Sequence, residues 1–401
     1  MSGPRLPGAV WALGAVSLLM DFSSELIHGL LPLYLTATLG VGVAALGWIE
    51  GVAEATAAIV KVFSGTLSDA IGRRKPLLLA GYGLAALTKP LFPLAGGAGM
   101  VFAARFLDRV GKGIRGAPRD ALVADVTPPD QRGAAYGLRQ SLDTVGAVIG
   151  PLAAMALLAG VFGAATDVRG ALWFAVIPAV AAWLVLLFAV CEPEAHAAGG
   201  PPKTPHWRDL SSMPRAYWIV VVLGAVFTLA RFSEAFLVLR VADLGGGAIW
   251  GPVALMAMSL VYTLSAYPAG VLADRIDARG LLAAGMVVLI AADAALALAG
   301  TAWTALGGVA LWGLHLGLTQ GVLAAMVAAT APAALRGSAF GVFNLVSGVM
   351  LLGASVLAGA LWEHLGPGAT FIVGGVVCVA CLAALPMTPA MRPGGQEVQG
   401  G

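Results

Sequence analysis

Charge is what this sequence has least of. Lys, Arg, Asp and Glu together make 11% of its 401 residues, against roughly 25% in a soluble globular domain. With 59% hydrophobic residues and a mean hydropathy of +0.89, the composition excludes an ordinary soluble fold and predicts a polytopic membrane protein. Cysteine is nearly absent too. Cys191, Cys378 and Cys381 are too few for a disulfide framework, and the "CVAC" pair lacks the second pair or neighbouring histidine of a metal or redox motif. All three are expected to pack as small apolar side chains. The net charge of +2 gives no purchase on nucleic acid. No nucleophile–base set, metal-ligand cluster, phosphate-binding glycine loop or appended soluble domain is legible, so neither an enzyme nor a cofactor is predicted.

What is present is a succession of apolar runs, each long enough for the ~20 residues that a bilayer demands. Twelve are predicted, at 9–39, 43–70, 76–94, 99–125, 133–161, 170–191, 215–243, 248–273, 280–301, 303–328, 338–362 and 366–387. The first does not read as a cleavable signal, because its apolar stretch continues through "LLPLYL" and holds Asp21 and Glu25. Arg and Lys fall mostly on one side of the connections, at Arg5, Arg73, Arg74, Lys75, Arg132, Lys203, Arg208, Arg215, Arg275, Arg279, Arg336 and Arg392, with little beyond Arg169 and Arg240 on the other. Cytoplasmic loops retain positive charge, so both termini are expected in the cytoplasm of a bacterial cell, with the chain in the inner (plasma) membrane.

The longest polar interval, 192–215, is rich in Pro, Gly and charge and reads as a cytoplasmic linker. It would join an N-terminal six-helix bundle, 1–191, to a C-terminal one, 216–401. The halves echo each other. "GTLSDAIGRR" from Gly65 returns as "GVLADRIDAR" from Gly270, "RGAAYGL" from Arg132 as "RGSAFGV" from Arg336, and "SSEL" near Glu25 more loosely as "FSEA" near Glu234. A parallel duplication of six helices is a transporter architecture.

On these residues the chain resembles the major facilitator superfamily over essentially its whole length. "GTLSDAIGRRKP" is similar to that superfamily's loop motif between the second and third spans, with Gly65, Asp69, Gly72, Arg73 and Arg74 in place. "RFLDRVGKG" resembles the fourth-span motif, with Arg109 and Gly113 as its arginine and glycine, and "GAVIGPLAAM" the fifth-span antiporter motif through Gly146, Gly150 and Pro151. Ala154 and Met155 stand where that last motif usually has glycines, which weakens the implication of antiport specifically. The resemblance implies an all-α fold of two pseudo-symmetric six-helix bundles, a hinge at Gly146, Gly150 and Pro151 against the eighth span, and a cytoplasmic gate around Asp69.

The scarce charge is concentrated. At about 100° per residue, Arg105, Asp108, Arg109, Lys112, Arg115 and Arg119 fall in a stripe roughly 120° wide on the fourth span. Each charge at mid-bilayer costs about 2.5–3.5 kcal/mol even on insertion scales, so the stripe must face protein, water or substrate. Asp21, Glu25, Glu50, Glu54, Asp108, Asp120 and Asp143 balance Lys61, Arg105, Arg109, Lys112, Arg115, Arg119 and Arg139. The equivalent stretch of the tenth span lacks the array, and the second half offers Arg231, Glu234, His315, Gln320 and Asn344 instead.

Arg115, Arg119 and Asp120 are expected in the gate with Asp69, Arg73 and Arg74, or in contact with substrate. Arg109 and Lys112 sit near mid-depth, where an ionisable group is a functional candidate by default. Glu25, one turn from Asp21 and His28, is the leading protonatable carboxylate. Either a proton competes with Arg109 for Glu25, or the two form a permanent pair locking the first span to the fourth. Glu50 and Glu54 either line the cavity or pair with the fourth span, and Asp143 is a further carboxylate candidate.

The function expected is secondary transport of a small organic solute by alternating access in a monomer, as proton-coupled export. The alternative is import or exchange of an organic anion, such as a carboxylate-rich metal chelate of the siderophore type, which the cationic fourth span would complement.

Overall fold

The computed structural model describes residues 6–71, 73–128, 131–161, 167–192, 213–273, 277–332, 335–388, 391–392 and 396–397. Most of the 192–215 linker, and Arg5, Gly72, Lys203, Arg208 and Arg275, lie outside them, as do the side chains of Asp69, Arg132, Arg336 and Arg392.

The helices begin and end where local chemistry dictates. Residues without hydrogen-bonding side chains dominate, and the helix satisfies their backbone polar groups internally, as a bilayer requires. The first half holds α1 (Gly8–Leu33), α2 (Val43–Ile71), α3 (Lys75–Thr88), α4 (Leu91–Leu94), α5 (Ala98–Asp125), α6 (Arg132–Leu158), α7 (Val168–Trp173) and α8 (Val176–Ala189). The second holds α9 (Arg215–Leu229), α10 (Ala235–Gly245), α11 (Trp250–Ala273), α12 (Ala278–Leu298), α13 (Ala302–Thr330), α14 (Arg336–Leu365) and α15 (Pro367–Ala384). A two-residue β ladder pairs Met391–Arg392 with Gln396–Glu397 near the C-terminus.

Pro76 and Pro367 stand in the first turns of α3 and α15, where a missing N–H costs nothing. Asp167 accepts from the Gly170 N–H at 2.7 Å, and Thr301 and Thr304 form a reciprocal cap on α13. Pro32 is followed by a wide π turn over Tyr34–Thr38, which widens the end of the first span.

Among the described residues, nine segments are long and apolar enough to cross a membrane, and Arg215–Leu229 and Trp250–Ala266 are shorter apolar helices. The fourth span, α5, is 28 residues long and fails only because it is so charged. Three spans expected as single helices are interrupted: the third between α3 and α4 at Lys89-Pro90, the sixth between α7 and α8 at Phe174-Ala175, the seventh between α9 and α10 at 230–234. The sixth-span break falls in an uninterrupted apolar run, whereas Lys89-Pro90 mark the third-span break and Arg231, Ser233 and Glu234 the seventh.

The described chain forms two compact units, Met1–Val41 with Val52–Thr204, and Gly42–Gly51 with Pro205–Gly401. In the first, α1 packs on α6 and α8, and α3 on α5 and α8. In the second the equivalent pairs recur: α9 with α14 and α15, α12 with α13 and α15. Val10, Leu13 and Met20 of α1, Leu78 and Tyr82 of α3, and Ala182 and Leu186 of α8 form one buried core. Phe232, Phe236, Trp312 and Phe371 form the other, with ring centroids of Phe232 and its three partners 5.2–5.6 Å apart.

The start of α2 belongs to the second unit, although the sequence reading placed it in the first bundle. A Cβ at Gly47 would lie 2.3 Å from the Ser355 carbonyl, and the Ala44 N–H donates to Glu363 at 2.9 Å. Glu50 accepts from the Ser233 hydroxyl at 3.5 Å in the same unit.

Candidate functional site

Close backbone approach brings the charged face of α5 against its neighbours. A Cβ at Gly113 would meet Val60 at 2.6 Å and the Ala57 carbonyl at 3.0 Å, and one at Gly111 would meet the Gly81 carbonyl at 2.7 Å. Glycines here let α5 press on α2 and α3. That contact fixes what the α5 side chains reach.

Arg109 Nε lies 3.3 Å from Glu54 Oε1 on α2, and Arg105 Nη2 lies 3.9 Å from the same oxygen. Both guanidinium groups are buried, whereas Glu54 keeps 26% of its side chain exposed. Glu25 is similarly open, at 29%, and faces His28 Nδ1 at 3.6 Å. Glu25 is therefore not the ion-pair partner of Arg109: Glu54 lies closer along the α5 face, and Glu25 turns to its own helix. Lys112, one turn beyond Arg109, is exposed, and Asp21 is half-buried one turn before Glu25 with no ion pair among the described residues. Phe22 and Glu25 also feel α6: a Cβ at Gly150 would lie 2.8 Å from the Phe22 carbonyl and 3.0 Å from Glu25 Cβ, and one at Gly146 2.3 Å from the Leu18 carbonyl. Gly146 and Gly150 thus face α1, within the first unit, and Pro151 is buried in the same helix.

A second set lies toward the other end of α5. Arg115 stacks over the Tyr82 ring, 4.7 Å from its centroid. Arg119 reaches Asp120 at 3.4 Å, Asp143 at 3.8 Å and the Ser17 hydroxyl at 3.2 Å. Arg139 joins α6 into the network, donating to Asp143 at 2.6 Å and lying 3.8 Å from Asp120. Arg74 pairs with Asp125 at 3.4 Å and donates to Ser68 and, through its backbone N–H, to Glu192. Arg73 is exposed, and Gly65 approaches α5, where its Cβ would meet Ala117 at 3.3 Å. The sequence reading brought Arg119, Asp120 and Asp143 into view as separate candidates; the structure brings all three into one ion-pair network with Arg139.

Two buried ionisable groups stand outside those the sequence analysis singles out. Lys89, at the break between α3 and α4, donates to Asp108 at 2.9 Å and to the Ser24 hydroxyl at 3.2 Å, and both ions are almost wholly buried. Asp293 is the one carboxylate of α12 and is buried. The signal was available for each, since a single ionisable residue inside an apolar run is a functional candidate by default.

In the second unit, Arg231 and Glu234 stand in the α9–α10 break, with Arg231 over the Phe227 ring at 4.6 Å. Among the described residues no group of three His, Cys, Asp or Glu side chains is placed to hold a metal.

The arrangement is two repeated helical units, one carrying a buried cationic row opposed by partly open carboxylates. The family profile of the Major Facilitator Superfamily matches residues 13–353 and 252–399. The chain belongs to this superfamily. An uncharacterised superfamily transporter of the archaeon Methanocaldococcus jannaschii is 29% identical over 92% of each chain. An uncharacterised protein of Mycobacterium tuberculosis is 30% identical over 96% of this chain and 92% of its own. The multidrug resistance protein MdtH of Edwardsiella ictaluri is 28% identical over 55% of this chain and 56% of its own. Among solved structures, a bacterial homolog of the human lysosomal transporter Spinster, inward-facing and occupied, superposes with a TM-score of 0.77 at 15% identity, covering 94% of this chain and 96% of the other. A POT family transporter in complex with 5-aminolevulinic acid does so with a TM-score of 0.77 at 14% identity, covering 95% and 96%. At those identities the likeness establishes the fold, and the Major Facilitator fold is that of membrane transporters.

Proposed function

We propose that this superfamily member is a monomeric, proton-coupled exporter of small organic molecules in a bacterial plasma membrane, with both termini cytoplasmic. The observation that carries the reading is the Glu54–Arg109 pair. A buried arginine holds a carboxylate that remains partly open, so a proton can reach Glu54 and release Arg109. Once released, a buried guanidinium without a counter-ion is costly and must find another partner, which links protonation to a rearrangement of α5 against α2. Glu25 with His28, and Asp21 one turn away, form a second proton-accepting group beside it, and Lys112 adds a cation at the open edge. The partial similarity to MdtH supports efflux of organic compounds as the substrate class.

Gly65, Asp69, Arg73, Arg74, Arg115, Arg119, Asp120 and Arg139 are assigned to the gate at the cytoplasmic end, and Gly146, Gly150 and Pro151 to the bending of α6 on α1. Arg231 and Glu234 are the second unit's contribution to solute contact.

One observation favours the second reading, import or exchange of an organic anion: the buried guanidinium groups of Arg105 and Arg109 converge on one Glu54 oxygen at 3.9 and 3.3 Å, with Lys112 exposed one turn beyond Arg109. Flux into proteoliposomes under an imposed pH gradient separates the two. Export predicts solute movement opposite to proton flow. Movement with protons, or gradient-independent exchange, would establish the anion reading instead.

A further inference from the structure

The second unit contains a carboxylate for which neither the gate nor the Glu54 site has a use. Asp293, in the last third of α12, is 1% exposed, and neither carboxyl oxygen has a hydrogen-bond partner among the described residues. A lone ionised carboxylate so enclosed costs several kcal/mol, so the site calls for a proton, a cation or a donor. The groups on every packed element supply no counter-ion. From α13 comes His315, fully buried with neither ring nitrogen bonded; from α15 come the thiols of Cys378, which donates to the Met286 carbonyl at 3.4 Å, and Cys381. From α11 comes Tyr262, bonded to Gln320 at 3.1 Å, and from the α9–α10 break come Arg231, stacked on Phe227, and Glu234. None of them pairs with Asp293.

What does face the carboxylate is the break itself. A Cβ built on Gly374 of α15 would lie 3.0 Å from Asp293 Oδ2, 3.2 Å from the Phe232 ring and 3.4 Å from the Ala230 carbonyl oxygen. The absent side chain leaves a methyl-sized gap flanked by the carboxyl group and a backbone carbonyl. Ala230 is the first residue after α9, and among the described residues no hydrogen bond of the interrupted segment ends on its oxygen. Ser233 N–H donates to Ser355 and Ala235 N–H to Ser233 Oγ instead.

We propose that Asp293 is a proton-binding site that sets the state of the break in the seventh span. Protonated, its side chain moves into the Gly374 gap, its hydroxyl donates to the Ala230 carbonyl, and the break is held closed. Ionised, it presents one acceptor to another, and the break loosens, moving Arg231 and Glu234 with it. A hard cation is the wrong occupant, since such ions take about six or more oxygen ligands, and here a carboxylate and one carbonyl stand among glycine and an aromatic ring. The site lies wholly within the second unit and its test needs no transported solute, so it stands or falls apart from the Glu54–Arg109 reading.

The full chain in lipid nanodiscs gives two readouts. Infrared difference spectra across pH should show a protonated carboxyl band that disappears in Asp293→Asn. Hydrogen exchange of peptides covering 226–236, corrected for intrinsic pH dependence, should quicken on the order of tenfold as pH rises, the effect of losing one hydrogen bond. In Asp293→Asn, whose amide donates at every pH, exchange should stay slow and pH-independent. Gly374→Ala keeps the carboxyl and fills the gap, so it should exchange fast even at low pH. Wild-type pH dependence retained in Asp293→Asn, no band assignable to Asp293, or a response to sodium in place of protons would each overturn the proposal.

Discussion

Arg109 of α5 faces Glu54 of α2 at 3.3 Å, while Glu25, the carboxylate that sequence position favours, faces His28 at 3.6 Å. The energetic coupling should follow the geometry. In a double-mutant cycle of Glu54→Gln and Arg109→Gln, read as proton-driven transport, an interaction of about 0.5–3 kcal/mol is expected. The Glu25→Gln and Arg109→Gln cycle should give the smaller value. Reversal of that order would return the coupling role to Glu25.

The Lys89–Asp108 pair makes a sharper claim about stability. Removing one member of a buried pair leaves an uncompensated ion, which costs about 3–5 kcal/mol. Lys89→Met should therefore lower the midpoint of thermal unfolding strongly, and adding Asp108→Leu should restore most of the loss, because two apolar side chains tolerate the site where one lone carboxylate does not. A double variant no more stable than the single would mean that the Ser24 contact or local packing, and not charge, holds α3 to α5 there.

Helix approach gives a control-matched test. A Cβ at Gly146 would stand 2.3 Å from the Leu18 carbonyl, whereas one at Gly137, on the same helix, meets nothing within 4 Å. Gly146→Ala should cost about 1–3 kcal/mol through forced separation of α6 from α1. Gly137→Ala should be neutral or slightly stabilising. Equal effects would show that α6 does not press on α1 at Gly146.

Much of this molecule was legible from hydropathy and repeats, because length and apolarity leave helices as almost the sole option in a bilayer. The charged face of α5 was legible for the same reason: a stripe of six ionisable residues cannot face lipid. Partner choice was not. Residue counts along the first and fourth spans place Glu25 and Arg109 at similar depth, but only the Gly113–Val60 contact, which brings α2 against α5, makes Glu54 the nearer carboxylate. The break in the sixth span escaped because its sequence is apolar throughout and its carbonyl is satisfied by a tertiary contact, the Ser23 hydroxyl donating to the Ala175 carbonyl at 2.7 Å, whereas Lys89-Pro90 and Arg231 with Glu234 are the marks the other two left in the sequence. Asp293 needed no geometry to be noticed, only attention to one carboxylate in an apolar run.

The gate network should respond to loss of its shared acceptor. Asp143 receives Arg139 at 2.6 Å and lies 3.8 Å from Arg119, so Asp143→Asn leaves two guanidinium groups with Asp120 as their only ion-pair carboxylate among the described residues. Reactivity of cysteines introduced near Gly137, at the exposed face of α6, should rise from the cytoplasmic side if the network holds the gate shut. No change on either side of the membrane would remove these residues from gating.

Topology can be read with a residue the chain already has. Cys191 is exposed at the end of the sixth span, where the linker begins, while Cys378 and Cys381 are buried. A membrane-impermeant maleimide should therefore label one thiol per chain in the folded protein, and Cys191→Ser should abolish the signal. If the cytoplasmic placement of the linker is right, intact cells should leave Cys191 unlabelled and inverted membrane vesicles should label it, because the reagent cannot cross the bilayer to reach the other face. The excess of Arg and Lys on the same side as the linker is the physical ground for that expectation, since short loops so charged are retained in the cytoplasm. Labelling in intact cells would invert the chain. It would turn the Arg119–Asp120–Arg139–Asp143 network from an inner gate into an outer one, and protons driven inward would then meet it before Glu54 instead of after.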